Sequence, residues 1–190
     1  MSSSDREYLN FERRHLAFTT RALKTALDDA EFNGRPLLDF YRAVVSYLAY
    51  TMNRLCLQDK RLADLVRDRF KTPDAKLGET LDAVYDRLEH HRQHVAFLQG
   101  ALAELEAAGP KGQKEFERKA RHYLEEREKK RGSHTLTSWR DQVIVESDWA
   151  HIAARTGAEA EAEKALFERL EATLPPGLAE AMERAKAGAA

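Results

Sequence analysis

The sequence predicts an all-α fold, an antiparallel up-down-up-down four-helix bundle followed by a short C-terminal helix. Three observations carry this. The chain is rich in Ala, Leu, Glu, Arg and Lys, with only 9 Gly and 5 Pro in 190 residues, so helix is favoured at nearly every position. The breakers fall in four clusters, Asn33-Gly34-Arg35-Pro36, Thr72-Pro73-Asp74, Gly109-Pro110-Lys111-Gly112 and Gly132-Ser133. Between them, apolar residues recur at steps of three and four, the period of a helix with one buried face.

Ser4 with Glu7 reads as a capping box opening the first helix, whose stripe is Tyr8, Phe11, Phe18 and Ala22. Pro36 and Pro73 are expected in the first turns of helices two and three, where a missing N–H costs nothing. Helix two carries Leu38, Tyr41, Val45, Leu48, Met52, Leu55, Leu62 and Val66. Helix three repeats the pattern with Leu77, Leu81, Val84, Leu88, Val95, Leu98, Leu102 and Leu105. Short connections between long helices make neighbours antiparallel, in a bundle roughly 45–50 Å long at about 1.5 Å per residue.

Helix four is expected from Glu115 to Lys130, with Glu-to-basic pairs four apart (Glu115 with Lys119, Glu117 with Arg121) marking a solvated face. Past Gly132 come a Thr/Ser/Trp stretch and a turn near Ser147-Asp148. A terminal helix then runs from about Glu159 to Leu174, and a frayed tail covers 185–190. Trp139, Trp149 and Ile152 are expected to cover one end of the bundle. The bundle is assigned to 1–155, the short helix and tail to 156–190.

Composition narrows the function classes. The length suits one domain, and 31 basic against 32 acidic side chains leave a net charge of −1, so no global field draws the chain to nucleic acid or anionic lipid. No apolar run approaches the roughly 20 residues that span a bilayer. Cys56 has no partner for a disulfide, and Met-Ser-Ser-Ser-Asp lacks the features of a secretory signal, which points to a cytoplasmic protein. There is no Gly-rich phosphate loop, and no histidine stands beside Cys56 on its helix face, so neither nucleotide chemistry nor a thiol nucleophile is indicated.

The informative residues are polar ones that interrupt the apolar seams, because a buried polar group must be paired or coordinated. His15 takes the step between Phe11 and Phe18, Asp59 that between Leu55 and Leu62, and His91 that between Leu88 and Val95. Facing side chains at one level of a helical bundle make carboxylate-and-histidine metal sites. His94 lies three residues after His91 and four after His90, so two imidazoles of helix three can converge on one ion. The bland alternatives are hydrogen-bonded histidines, a solvent-facing His90, and an ion pair of Asp59 with Arg54 or Arg61. His122 with Glu125, Glu126 and Glu128 offers further ligands from helix four, or only a solvated face. His134 and His151 stand in or after the irregular segment.

The order of these features resembles the hemerythrin-like (HHE cation-binding) family over roughly residues 5–155. Arg13-Arg14-His15-Leu16-Ala17 is similar to the histidine segment of that family's first helix. Arg54-Leu55-Cys56-Leu57-Gln58-Asp59 keeps the frame of a His-His-Pro-Lys-Glu-Asp segment, with Arg54 and Leu55 at the histidine positions and Gln58 at the glutamate. Leu88-Glu89-His90-His91 resembles the Glu-x-x-His segment of helix three, and Ser147-Asp148-Trp149-Ala150-His151-Ile152 resembles the Asp-Trp ending. The resemblance implies a non-heme iron centre for oxygen, nitric oxide or redox sensing. Of its ligand shell the chain carries His15 and His91, with Asp59, His94 and Glu128 as substitutes. The alternative is a metal-free bundle serving as a regulatory or protein–protein interaction module, as a homodimer or with another protein.

Overall fold

The computed structural model describes residues 3–70, 72, 74–129 and 136–187. The elements are α1 (Ser3–Asp28), α2 (Leu38–Arg69), α3 (Ala75–Ala108), α4 (Gln113–Lys129), α5 (Thr137–Val143), α6 (Asp148–Ile152), α7 (Gly157–Ala172) and α8 (Leu178–Ala187), with 3-10 turns at Ala30–Phe32 and Gly109–Gly112. Among the described residues there is no strand. None of these helices is long and apolar enough to cross a membrane.

Breakers act where the sequence places them, with some shifts of register. Asp74 caps α3 by accepting from the Leu77 N–H at 2.7 Å. Gly109 ends α3 at φ 63°, ψ −150°, a conformation open essentially to glycine alone, and so turns the chain into α4. Pro36 precedes α2 instead of sitting in its first turn. The buried N–H of Leu37, which has no partner within α2, is satisfied from another helix, by Gln113 Oε1 of α4 at 3.2 Å. The Gln113 amide in turn donates to Arg35 O at 2.6 Å and Glu117 Oε1 at 2.9 Å, which fixes the start of α4 against the start of α2. The Ser4 side chain, Pro73, Gly132-Ser133 and His134 lie outside the described residues.

The α3 seam is buried from Leu77 to Leu105, and α2 buries Tyr41, Val45, Leu48, Met52 and Val66, with Leu55 and Leu62 partly covered. Each such side chain contributes roughly 1.5–3 kcal/mol by leaving water. Helix α1 departs from the expected stripe. Phe11 is 39% exposed, whereas Leu9, Glu12, Leu16, Thr19, Leu23 and Ala26 are buried, because α1 is covered on two sides. One core cluster joins α1–α4 to Leu170 of α7 and Leu178 and Met182 of α8. Another gathers Cys56, Val66, Leu81 and Leu88 under Leu136 and Trp139, and Leu9 packs with Ile152 and Trp149.

The chain after residue 156 forms two helices, not one. Thr156 and Glu159 make a reciprocal capping box at the start of α7, which packs on α2, while α8 packs on α1. At the other end of α2, Arg69 grips Asp148 through two bonds of 2.5 and 2.6 Å, and Asp148 also accepts from Val145 N at 2.7 Å. This fork ties the α5–α6 segment to α2.

Candidate functional site

Helix α1 presents two polar faces at helical spacing, and they look in different directions. The first holds Tyr8, Glu12, His15 and Thr19, which meet Tyr47, Arg54 and Gln58 of α2 and Glu159 and Glu163 of α7. Glu12 is wholly buried, and its carboxylate accepts from Arg54 Nε at 2.8 Å, from Gln58 Nε2 at 2.6 Å and from the Tyr8 hydroxyl. Arg54, itself 7% exposed, reaches on to Glu159 Oε1 at 3.4 Å. Its guanidinium therefore stands between two carboxylates as a tethered cation. Buried Glu163 accepts from the Tyr47 hydroxyl at 2.8 Å and lies 3.1 Å from His15 Nδ1. The His15 ring stacks on Phe167 with centroids 3.6 Å apart. Burial, reinforced by the adjacent carboxylate, raises the Tyr8 and Tyr47 hydroxyls far above their ordinary range, so both act as donors at any physiological pH.

The second face holds Arg13, Leu16, Ala17, Thr20, Arg21 and Lys24. It forms one wall of a cleft of about 660 Å³ closed by α2, α3 and α4. The apolar lining is Leu16, Met52, Leu55, Cys56 and Leu124. Around it stand five cations, Arg13, Arg21, Lys24, Arg87 and Arg127, against two carboxylates, Asp59 and Glu128, with His91 in the α3 wall. Arg127 donates to the Thr20 hydroxyl and so bridges α4 to α1 across the cleft. Burial is the main force on His91 and lowers its pKa to about 4; Arg87, Arg127, His94 and His90 push the same way, so the ring is neutral near pH 7. Burial raises the Cys56 thiol to about 11, which keeps it protonated. Enclosure raises the Asp59 carboxyl, opposed by Arg13 and Arg87.

The five residues expected to hold a metal are thereby divided. Asp59, His91 and Glu128 line the cleft, whereas His15 faces the opposite way, onto Glu163 and Phe167. His94 is only partly buried, its ring 6.4 Å from that of His90, and Glu128 is exposed. The nearest cation to Asp59 is Arg13, at 4.0 Å, rather than Arg54 or Arg61. His90 is exposed, as are His122 and His151. Among the described residues no three of His, Cys, Asp and Glu are grouped so as to hold a metal ion. The residues present do not fit the iron centre that the resemblance implies. The cleft carries an excess of positive charge, and the buried carboxylate of Glu12 already has its cation in Arg54.

Sequence reasoning missed Glu12, Gln58, Tyr47 and Glu163, and offered Arg54 only as one alternative partner of Asp59, whereas it pairs with Glu12. A signal was present: Tyr8, Glu12, His15 and Thr19 step by four, three and four, as do Tyr47, Thr51, Arg54 and Gln58. No family model matches the chain, and neither the curated proteins nor the solved structures yield a match.

Proposed function

We propose that this chain is a helical-bundle binding module that works without metal, and that the cleft between α1, α2, α3 and α4 receives an anionic ligand. The observation that carries this reading is the lining of the cleft, five cations to two carboxylates around a partly apolar interior. Beside such a lining a like charge is repelled and an opposite charge attracted, so an anion is favoured where a divalent cation is not. Arg21 and Lys24 add weight, since neither makes an ion pair among the described residues.

An up-down-up-down order of α1–α4 belongs to the same proposal. It is supported by pairings such as Arg42 near the start of α2 with Glu106 near the end of α3, at 2.7 Å, and by Thr20 with Arg127 across α1 and α4. The reading keeps the bundle of hemerythrin-like proteins and parts from their chemistry, in favour of a regulatory or interaction role.

The test is thermal unfolding of the purified protein with elemental analysis. A ligand bound only by the native state raises stability by RT ln(1 + L/Kd), with L its free concentration. Sulfate or phosphate should raise Tm beyond a chloride control of equal ionic strength, ferrous iron and zinc should leave it unchanged, and iron should be absent from the purified protein. Iron near stoichiometry, or a rise in Tm with iron and none with anions, overturns the proposal.

A further inference from the structure

Resting on that reading, we infer that the natural ligand of the cleft is a free amphipathic anion, a carboxylate or phosphate head on a single unbranched or aromatic apolar body. A simple inorganic anion leaves the apolar part of the cavity unused. Leu16 and Met52, which are buried, and Leu55 and Leu124, which are only partly covered, line the same cleft from three different helices, and an apolar body laid against them covers the surface that Leu55 and Leu124 still expose. Arg21 and Lys24 of α1 are at the exposed edge, where a head group keeps contact with solvent while the body lies inward.

The shape argues for a small molecule over an amphipathic helix of a partner protein. A helix with its side chains is about 10–12 Å across. The Arg127 to Thr20 bridge spans the cleft between α4 and α1 and would have to break to admit it. At about 660 Å³ the cavity lies within the range of pockets that enclose small ligands, and four helices wall it. The walls on four sides favour a free amphiphile, and a vesicle arm in the titration separates it from a headgroup still anchored in a bilayer.

The experiment is calorimetric titration of the full chain with straight-chain carboxylates from butyrate to dodecanoate, each below its micellar concentration. Alkyltrimethylammonium ions of equal length, inorganic phosphate and phosphatidylglycerol vesicles are the parallel arms. Affinity should rise roughly fourfold for each added methylene until the cavity is full. The ammonium series should bind at least tenfold more weakly. Substituting both exposed cations, Arg21→Glu with Lys24→Glu, should weaken decanoate at least tenfold while Tm without ligand stays the same. A bulky Leu55→Trp should shorten the chain length at which affinity stops rising. Phosphate binding with no dependence on chain length would overturn this inference and leave the anion reading standing. Equal binding of carboxylate and ammonium, or no binding of any anion, would overturn both, and binding to vesicles without binding of soluble chains would overturn the free amphiphile.

Discussion

Replacing Arg54 by alanine removes the cation from a carboxylate that has no access to water. Glu12 is 0% exposed and Arg54 7%, with the shortest contact 2.8 Å. The remaining donors, Gln58 Nε2 and the Tyr8 hydroxyl, are neutral and cannot balance the charge. Breaking a buried pair by deleting one partner costs about 3–5 kcal/mol, chiefly because the other charge stays buried. The 3.4 Å contact to Glu159 adds little, since that carboxylate is 42% exposed. For a chain of this size the loss corresponds to a fall in Tm of roughly 6–20 °C. The assay is equilibrium urea unfolding followed by far-ultraviolet circular dichroism, with m-values compared to confirm that the native state is unchanged in extent. A double variant, Glu12→Gln with Arg54→Met, removes both charges while keeping an acceptor for Gln58, and should recover at least about 2 kcal/mol of the loss. A loss below about 1 kcal/mol for Arg54→Ala, or a double variant no more stable than the single one, would refute the reasoning.

Two further outcomes follow from named residues. The native state lowers the His91 pKa from its ordinary 6.5 to about 4, so the unfolded chain binds the proton more readily; stability is complete above about pH 6.5, erodes as pH falls toward 4, and loses nothing more from this group below that. By pH 5 the loss is about 2 kcal/mol relative to a His91→Gln variant measured in parallel, and an imidazole resonance titrating near its ordinary pKa would contradict this. At the end of α3, Gly109→Ala forces a side chain into φ 63°, ψ −150° with no steric neighbour to blame, so it should cost about 1–3 kcal/mol of strain in urea unfolding; a neutral result would show that the turn relaxes freely.

The helices were legible in the sequence because their signals are local. Asp74 and Gly109 stop and start helices by backbone chemistry that depends on a few neighbouring residues, and the α3 seam from Leu77 to Leu105 declares its buried face by period alone. The Thr156-x-x-Glu159 box was equally readable and marks the true start of α7. The candidate site was harder. A charged residue on a helix is ordinarily solvated, so nothing local separates buried Glu12 and Glu163 from their many exposed counterparts; only the packing of α7 on α2 decides it. His91 interrupts the buried α3 seam as expected, but the α1 stripe in which His15 was placed is not the buried one, and a period of three and four does not say which of two covered sides of α1 a residue faces. The arginines of the cleft come from α1, α3 and α4, and their convergence is a property of the assembled bundle.

Helix α1 is a party wall. One side bounds the cleft beside α4, the other the hydrogen-bonded lattice of Glu12, Arg54 and Glu163. The same helix therefore sets the position of both, and a shift of α1 in register or tilt would alter the cleft wall and the His15 to Phe167 stack together.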